Sequence, residues 1–266
     1  MKFGLIHYNA PGDTLEEFLQ FAADTGFGYV ELQIRDVWPE DTDNPEAEAE
    51  KVKRLMDRIG VQASALAASN DFVLLDPDAI KRQVARMRRI CGLARILGTD
   101  VIRTEGGSPK EQVPPNRWAE AIAGCLTPCR EFIEPMGIRL AVDNHGHITN
   151  EPQVQLEVFR RVNSPNVGAN LDTMNYRWFG HSLEALRDIY PRIAPHTFHT
   201  HLKDGTGSRE HYVGAALGEG EIDLVWAVEC IKQAGYAGVW CAEFEGRGDT
   251  ATGYTACLEW MRRHIQ

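Results

Sequence analysis

Four polar residues end apolar segments of the chain, and together they could bind a metal ion. Asp143 and Asp172 each close a short strand-like run, and they are 29 residues apart. His201 follows Asp172 by another 29 residues, and Glu243 follows His201 by 42. Spacing of this kind predicts that the side chains lie at one height on neighbouring strands and point to a common centre.

Three carboxylates and an imidazole at one point would repel each other, or hold extra protons, unless a cation lies between them. The set therefore predicts a divalent-metal site, and oxygen ligands with one nitrogen suit Mn2+, Mg2+, Co2+ or Zn2+. The alternative is that each residue is a surface acid or the N-cap of the next helix, since Asp is a common N-cap. That preference does not explain His201 or Glu243.

The elements that would position these residues follow a repeating order of amphipathic segment, glycine and apolar run. Glycines follow five candidate helices, where a left-handed residue is usual, at Gly26, Gly60, Gly98, Gly137 and Gly235. Eight strands alternate with eight helices at about 33 residues per unit, the length of one βα repeat. We therefore predict an α/β fold, a single (β/α)8 TIM barrel over residues 1–266. The alternative is an open doubly wound sheet, which normally has a glycine-rich phosphate turn after its first strand.

Composition and charge exclude several classes of function. The chain has 28 basic and 38 acidic residues and a formal net charge of −10, which disfavours nucleic-acid binding. No apolar run approaches the length of a membrane span. The six cysteines have no CxxC spacing, which favours reduced thiols. We expect a cytoplasmic protein that binds neither nucleic acid nor membrane.

Three segments resemble the xylose-isomerase-like barrels grouped as sugar phosphate isomerases/epimerases, which include inosose isomerases and dehydratases and ketose 3-epimerases. They are LAVDNHG at 140–146, HTHLKD at 199–204 with LGEGEID at 217–223, and GVWCAEFE at 238–245. The likeness extends over essentially the whole chain. The metal in that family is held by Glu, Asp, His and Glu, at the positions that are here Asp143, Asp172, His201 and Glu243.

The resemblance implies a metal-dependent isomerase or epimerase of a sugar, keto-sugar or polyol. It would remove a proton next to a carbonyl and pass through a metal-stabilised enediolate, with Mn2+ as the expected ion. Glu243 would be the base, and Asp143 or a nearby histidine its partner on the other face. Asp143 is one methylene shorter than the family's Glu, so its role in proton transfer stays open. Substrate contacts are predicted at His145, Asn175, Arg209, Glu105 and His199.

Alternatives remain at this stage. A lyase or dehydratase could use the same proton abstraction and then expel a leaving group by β-elimination. A barrel that binds sugar without catalysis is also conceivable. Endonuclease-like cleavage, known from a related fold, would need several zinc ions and a basic face, which the acidic net charge disfavours. A homo-oligomer is expected from the resemblance. The loops expected to shape the substrate pocket are 36–46, 105–116, 175–181 and 203–221.

Overall fold

The computed structural model describes residues 1–40 and 42–266. Eight parallel strands form a closed barrel, which confirms the predicted (β/α)8 architecture over the open sheet. Ten strands are present in the described residues: β1 Phe3–Ile6, β2 Tyr29–Gln33, β3 Gln62–Ala67, β4 Val101–Thr104, β5 Arg139–Asp143, β6 Val167–Asp172, β7 Thr197–Leu202, β8 Asp204–Thr206, β9 Val213–Ala215 and β10 Trp240–Ala242. The order around the barrel is β1-β10-β7-β6-β5-β4-β3-β2, and β8 and β9 form a separate antiparallel pair.

Helices surround the barrel on its outer side. Their bounds are α1 Leu15–Thr25, α2 Ile34–Val37, α3 Pro45–Ile59, α4 Pro77–Leu97, α5 Trp118–Met136, α6 Pro152–Val162, α7 Asn175–Phe179, α8 Leu183–Ile193, α9 Leu224–Gln233 and α10 Thr250–His264. The short α2 and α7 begin directly at the mouth of the barrel and were not predicted. No helix in the described part of the chain is both long and apolar enough to cross a membrane.

The helix ends agree with the local sequence signals. Thr14 and Glu17 form a reciprocal capping box at the start of α1. The five predicted glycines all have positive φ, between 67° and 99°. This left-handed backbone ends each preceding helix and turns the chain back towards the barrel.

The segment after β7 differs from the prediction. Residues 203–221 were expected to be a loop, but β8 and β9 pair there as a hairpin. The Asp204 carboxylate organises the remainder of the segment by accepting hydrogen bonds from four backbone N–H groups, on Gly205, Gly218, Gly220 and Ile222. Within the predicted loop 36–46, residue 41 lies outside the described residues.

Buried side chains form two regions, one between the strands and the helices and one inside the barrel. The apolar core lies between the outer face of the strands and the helices, where residues such as Phe18, Leu66 and Tyr254 are fully buried. The inside of the barrel contains buried polar side chains, among them Glu31 and His199. Polar groups inside a closed barrel must satisfy one another, so this interior positions the groups at the barrel mouth.

Candidate metal centre

Asp172, His201 and Glu243 converge at the C-terminal end of the barrel. One ligand atom from each lies within 4.8 Å of the others. Asp172 is the last residue of β6, His201 is the fifth residue of β7, and Glu243 directly follows β10. All three are at least nine-tenths buried. Because the three strands are neighbours in the barrel, their carboxyl ends bring the side chains together.

The two oxygens of the Asp172 carboxylate have different surroundings. Oδ1 accepts hydrogen bonds from the backbone N–H groups of Met174 and Asn175, at 2.7 and 2.8 Å. Oδ2 is buried and has no hydrogen-bond partner. Burial, together with the negative charges of Glu243 and Asp143, raises the pKa of Asp172 to about 7, despite the opposing charge of Lys203. Oδ1 of Asp172 thus accepts hydrogen bonds from the backbone, and Oδ2 is available to a cation.

The His201 ring is fixed by carboxylates on both sides. Its Nδ1 is 3.0 Å from Glu243 Oε2 and its Nε2 is 2.8 Å from Glu31 Oε2. Burial disfavours the imidazolium, but the Glu31 and Glu243 charges outweigh it and raise the pKa of His201 to about 10. Glu31 lies on β2, across the barrel, and is fully buried. The Glu31 contact at Nε2 directs Nδ1 to the side of Glu243 and Asp172, and a carboxylate on one ring nitrogen commonly orients a histidine that binds a metal through the other.

Lys203 occupies the space between the two acidic ligand residues. Its Nζ is 3.1 Å from Glu243 Oε1, 3.2 Å from Asp172 Oδ2 and 3.6 Å from Glu245 Oε2. Burial opposes ionisation of Glu243, but the Lys203 charge and the hydrogen bond with His201 hold the pKa of Glu243 well below its usual range. Lys203 is 3% exposed, so this ammonium is an internal counter-ion.

Asp143 lies apart from the group of three. Its Oδ2 is 2.9 Å from Arg103 Nη1, and its Oδ1 accepts a hydrogen bond from Asn170 Nδ2. Arg103 Nε also donates to Glu31 Oε1 at 2.8 Å. Both Asp143 oxygens are thus bonded to protein groups, and the guanidinium joins Asp143 to the carboxylate that fixes His201.

The donor atoms of the three converging residues suit the predicted divalent ion. Two carboxylates and an imidazole are suitable ligands for Mn2+, Zn2+ and similar ions. Asp172 Oδ2 is a buried oxygen that accepts no hydrogen bond, although the Lys203 ammonium lies 3.2 Å away. Asp172, His201 and Glu243 therefore fit such an ion, and the fourth predicted ligand, Asp143, would have to exchange its bond to Arg103. A deeper group of Glu31, His199 and His201 also has metal-ligand geometry, but Arg103 already balances its carboxylate.

Two adjoining cavities open over these residues. One has a volume of about 270 Å³ and is lined by Ile6, Tyr8, Gln33, Arg35, Arg103, Glu105, Asp143, His145, His201, Glu243 and Glu245. The other, of about 420 Å³, is lined by Tyr8, Asn9, His145, Gly146, Asn175, Trp178, Lys203, Tyr212 and Glu245. Three residues line both: Tyr8, His145 and Glu245. The two cavities therefore form one cleft that ends on the carboxylates and His201.

The five predicted substrate contacts lie at different distances from this cleft. Glu105, His145 and Asn175 line it. Arg209 is exposed; its Nε donates to the backbone oxygen of Phe179, and its guanidinium lies over the Phe179 ring. His199 lies deeper in the barrel, with Nδ1 on Asn170 and Nε2 on Ser64, and burial lowers its pKa to about 3. The structure thus brings three of the five to the cleft.

Sequence reasoning did not place Glu31, Arg103, Glu245 or Lys203 in the site. A signal was present for the first two, since Glu31 and Arg103 are charged residues within predicted strands of a closed barrel. Opposite charges that point into one barrel must pair. Lys203 and Glu245 each lie two residues after a predicted ligand, so the alternation of a strand would place them on the same face.

Known proteins resemble this chain at low sequence identity. The uncharacterized protein MJ1311 of Methanocaldococcus jannaschii is 24% identical over 196 residues, which span 70% of this chain and 65% of that protein. The crystal structure of the IolI protein with a binding zinc atom superposes with a TM-score of 0.79 at 18% identity, covering 100% of this chain and 98% of that one. D-psicose 3-epimerase with D-tagatose, from Clostridium cellulolyticum H10, gives a TM-score of 0.78 at 15% identity over all of both chains.

These solved structures share the fold at low identity. The xylose isomerase-like TIM barrel family matches residues 19–264, which is nearly the whole chain. The chain belongs to the xylose isomerase-like TIM barrel family.

Proposed function

We propose that the protein is a divalent-metal-dependent isomerase or epimerase of a sugar, keto-sugar or polyol. The observation that supports this most directly is the convergence of Asp172, His201 and Glu243 within 4.8 Å beside an open cleft. Structural neighbours include IolI and D-psicose 3-epimerase, and the fold is common to all of them. We propose Mn2+ as the resident ion; Mg2+, Co2+ and Zn2+ are the alternatives, and zinc is the ion in the IolI structure.

Asp172, His201 and Glu243 would hold the ion, with Asp143 as a fourth ligand if it leaves Arg103. When bound, the ion would act as a Lewis acid that polarises the substrate carbonyl and stabilises negative charge on its oxygen. Glu243 would remove the proton next to the carbonyl, because its carboxylate is ionised and lines the cleft. Asp143 lines the cleft from β5 and would face the substrate's other side. In an epimerisation Glu243 would keep the proton that it removed, and Asp143 would deliver a different proton, taken up from solvent, to the opposite face.

The remaining walls of the cleft suit a polyhydroxylated ligand. Tyr8 and Trp178 offer aromatic faces to the apolar side of a sugar ring. Asn175 and His145 offer hydrogen-bonding groups for hydroxyls, and Asn175 is held by its backbone N–H bond to Asp172. Asn175 does not titrate, so it would bind and orient the ligand without moving protons.

The experiment is a deuterium-exchange assay on a panel of ketoses that includes D-psicose, D-tagatose and D-fructose. The protein loaded with Mn2+ in D2O should place solvent deuterium at the carbon next to the carbonyl of recovered sugar. Treatment with a chelator should abolish exchange, and added Mn2+ should restore it. Asp172→Asn should lose at least about 100-fold in rate, since loss of a group that only orients a metal ligand already costs about 10–100-fold. Asp188→Asn, an exposed carboxylate on α8, is the matched control.

Three outcomes would change the conclusion. Exchange that survives removal of every divalent ion would contradict the metal-dependent mechanism. Exchange that is followed by release of water or another leaving group would identify a lyase on the same scaffold. Saturable sugar binding without exchange would identify a barrel that binds its ligand without catalysis.

A further inference from the structure

The Lys203 ammonium lies where a bound ion would have to approach its ligands. It is 3.1 Å from Glu243 Oε1 and 3.2 Å from Asp172 Oδ2, two oxygens of the proposed metal centre. A divalent ion approaches carboxylate oxygens to about 2.0–2.2 Å. An ammonium and such an ion at the same oxygens repel each other, and burial strengthens that repulsion.

The contacts of Lys203 are unequal. Its Nζ donates a hydrogen bond to Glu243 Oε1, whereas Asp172 Oδ2 remains without a hydrogen-bond partner although the ammonium is close. A buried carboxylate oxygen left in this state costs free energy until a better cation reaches it. Replacing the ammonium by a divalent ion is therefore expected to release most free energy at Asp172 Oδ2.

Glu245 provides the alternative position for the displaced ammonium. Its Oε2 is 3.6 Å from Lys203 Nζ, and both residues line the 420 Å³ cavity. Glu245 is only partly buried, so a pair formed there would be solvated at the cavity wall. The four-carbon stem of lysine allows this movement without a change in the backbone.

We propose that Lys203 and a divalent ion compete for the carboxylates of Asp172 and Glu243, and that ion binding turns the Lys203 ammonium to Glu245 in the cavity. This inference rests on the metal centre of the proposed function. It makes Lys203 a positioning residue whose location reports ion occupancy.

The test is calorimetric titration of the substrate-free protein with Mn2+ alone. If the ammonium occupies the site about nine-tenths of the time, the apparent dissociation constant is about tenfold weaker than the intrinsic one. Lys203→Met should therefore bind Mn2+ at least about tenfold more tightly than the wild type. It should also show a larger rise in Tm on adding Mn2+. Lys51→Met removes an exposed positive charge on α3 and should leave the affinity unchanged.

A double-mutant cycle separates competition from a general charge effect. Glu245→Gln should weaken Mn2+ binding in the wild type, because the displaced ammonium loses its partner. It should have little effect in the Lys203→Met background, where no ammonium needs the position. Equal weakening in both backgrounds would overturn the exchange, as would equal or weaker binding by Lys203→Met. If Lys203→Met does not fold, unchanged affinity in Glu245→Gln alone would also overturn it. If no variant binds Mn2+, the metal centre itself fails and the competition fails with it.

Discussion

Replacement of Asp204 by Asn tests how one buried carboxylate shapes the segment that follows β7. Oδ1 accepts from the backbone N–H groups of Gly205 and Ile222, and Oδ2 from those of Gly218 and Gly220, at 2.9–3.2 Å. An amide keeps one acceptor oxygen and presents an NH2 group in place of the other. Two backbone N–H groups therefore lose their acceptor and face a donor instead.

The magnitude follows from those two groups. A buried donor left without a partner costs about 1–3 kcal/mol, so the two together should lower the free energy of unfolding by about 2–6 kcal/mol. The Gly220 backbone packs closely against the Asp204 carboxylate, since a Cβ added at Gly220 would lie 2.1 Å from Oδ1. The chain there has little space in which to move away from the new NH2 group. Equilibrium urea unfolding, followed by circular dichroism, measures the loss. Limited proteolysis should show earlier cleavage within residues 204–222.

Asp223→Asn is the matched control. Asp223 is an exposed N-cap that accepts from the backbone N–H of Trp226 and pairs with Arg187 at the surface. Asn caps helices about as well as Asp, and an exposed ion pair contributes at most about 1 kcal/mol. Asp204→Asn and Asp223→Asn should thus differ by at least about 1 kcal/mol. Equal losses in the two variants would refute the role assigned to the Asp204 carboxylate.

Three further predictions concern the barrel interior and the strand ends. Glu31→Gln should lower the free energy of unfolding by about 3–5 kcal/mol, because Arg103 and His201 lose their buried anionic partner. If urea unfolding shows that this free energy falls by less than about 1 kcal/mol, the prediction is contradicted. Burial lowers the pKa of His196 below 6.5, so the stability linked to its neutral form is present above that pH and is lost as pH falls. His196→Gln should therefore show a smaller fall in the urea midpoint between about pH 7.5 and 5.5 than the wild type, and an identical fall would argue against the linkage. Gly168→Ala should lose about 1–3 kcal/mol, since its Cβ would lie 2.2 Å from the His196 carbonyl oxygen, whereas Gly92→Ala, with open space around its Cβ, should not destabilise.

Much of the architecture follows from local patterns in the sequence. The helix-ending glycines and the apolar runs recur at the length of one βα unit, and eight such units specify a closed barrel. The hairpin of β8 and β9 was not predictable in this way. Its strands are three residues long, and no periodic pattern reveals the Asp204 carboxylate that accepts four backbone hydrogen bonds in this segment.

Local sequence patterns likewise predict only part of the candidate site. Strand-end spacing identified Asp172, His201 and Glu243, because such residues share one edge of the barrel. It could not show that Lys203 lies between two of them or that Arg103 bonds Asp143. Those contacts depend on side-chain conformations and on the balance of charge across the barrel. Neither is local in sequence.

The contact between Glu31 and His201 joins the two halves of the chain through the hollow of the barrel. All four predicted ligands belong to the second half-barrel, β5, β6, β7 and β10, whereas Glu31 and Arg103 come from the first. A fragment with only the second half would contain every predicted ligand but would lack the groups that orient His201 and balance Asp143. If the proposed metal centre binds an ion, affinity for that ion should return only when the complementary fragment docks, so it would report half-barrel reassembly.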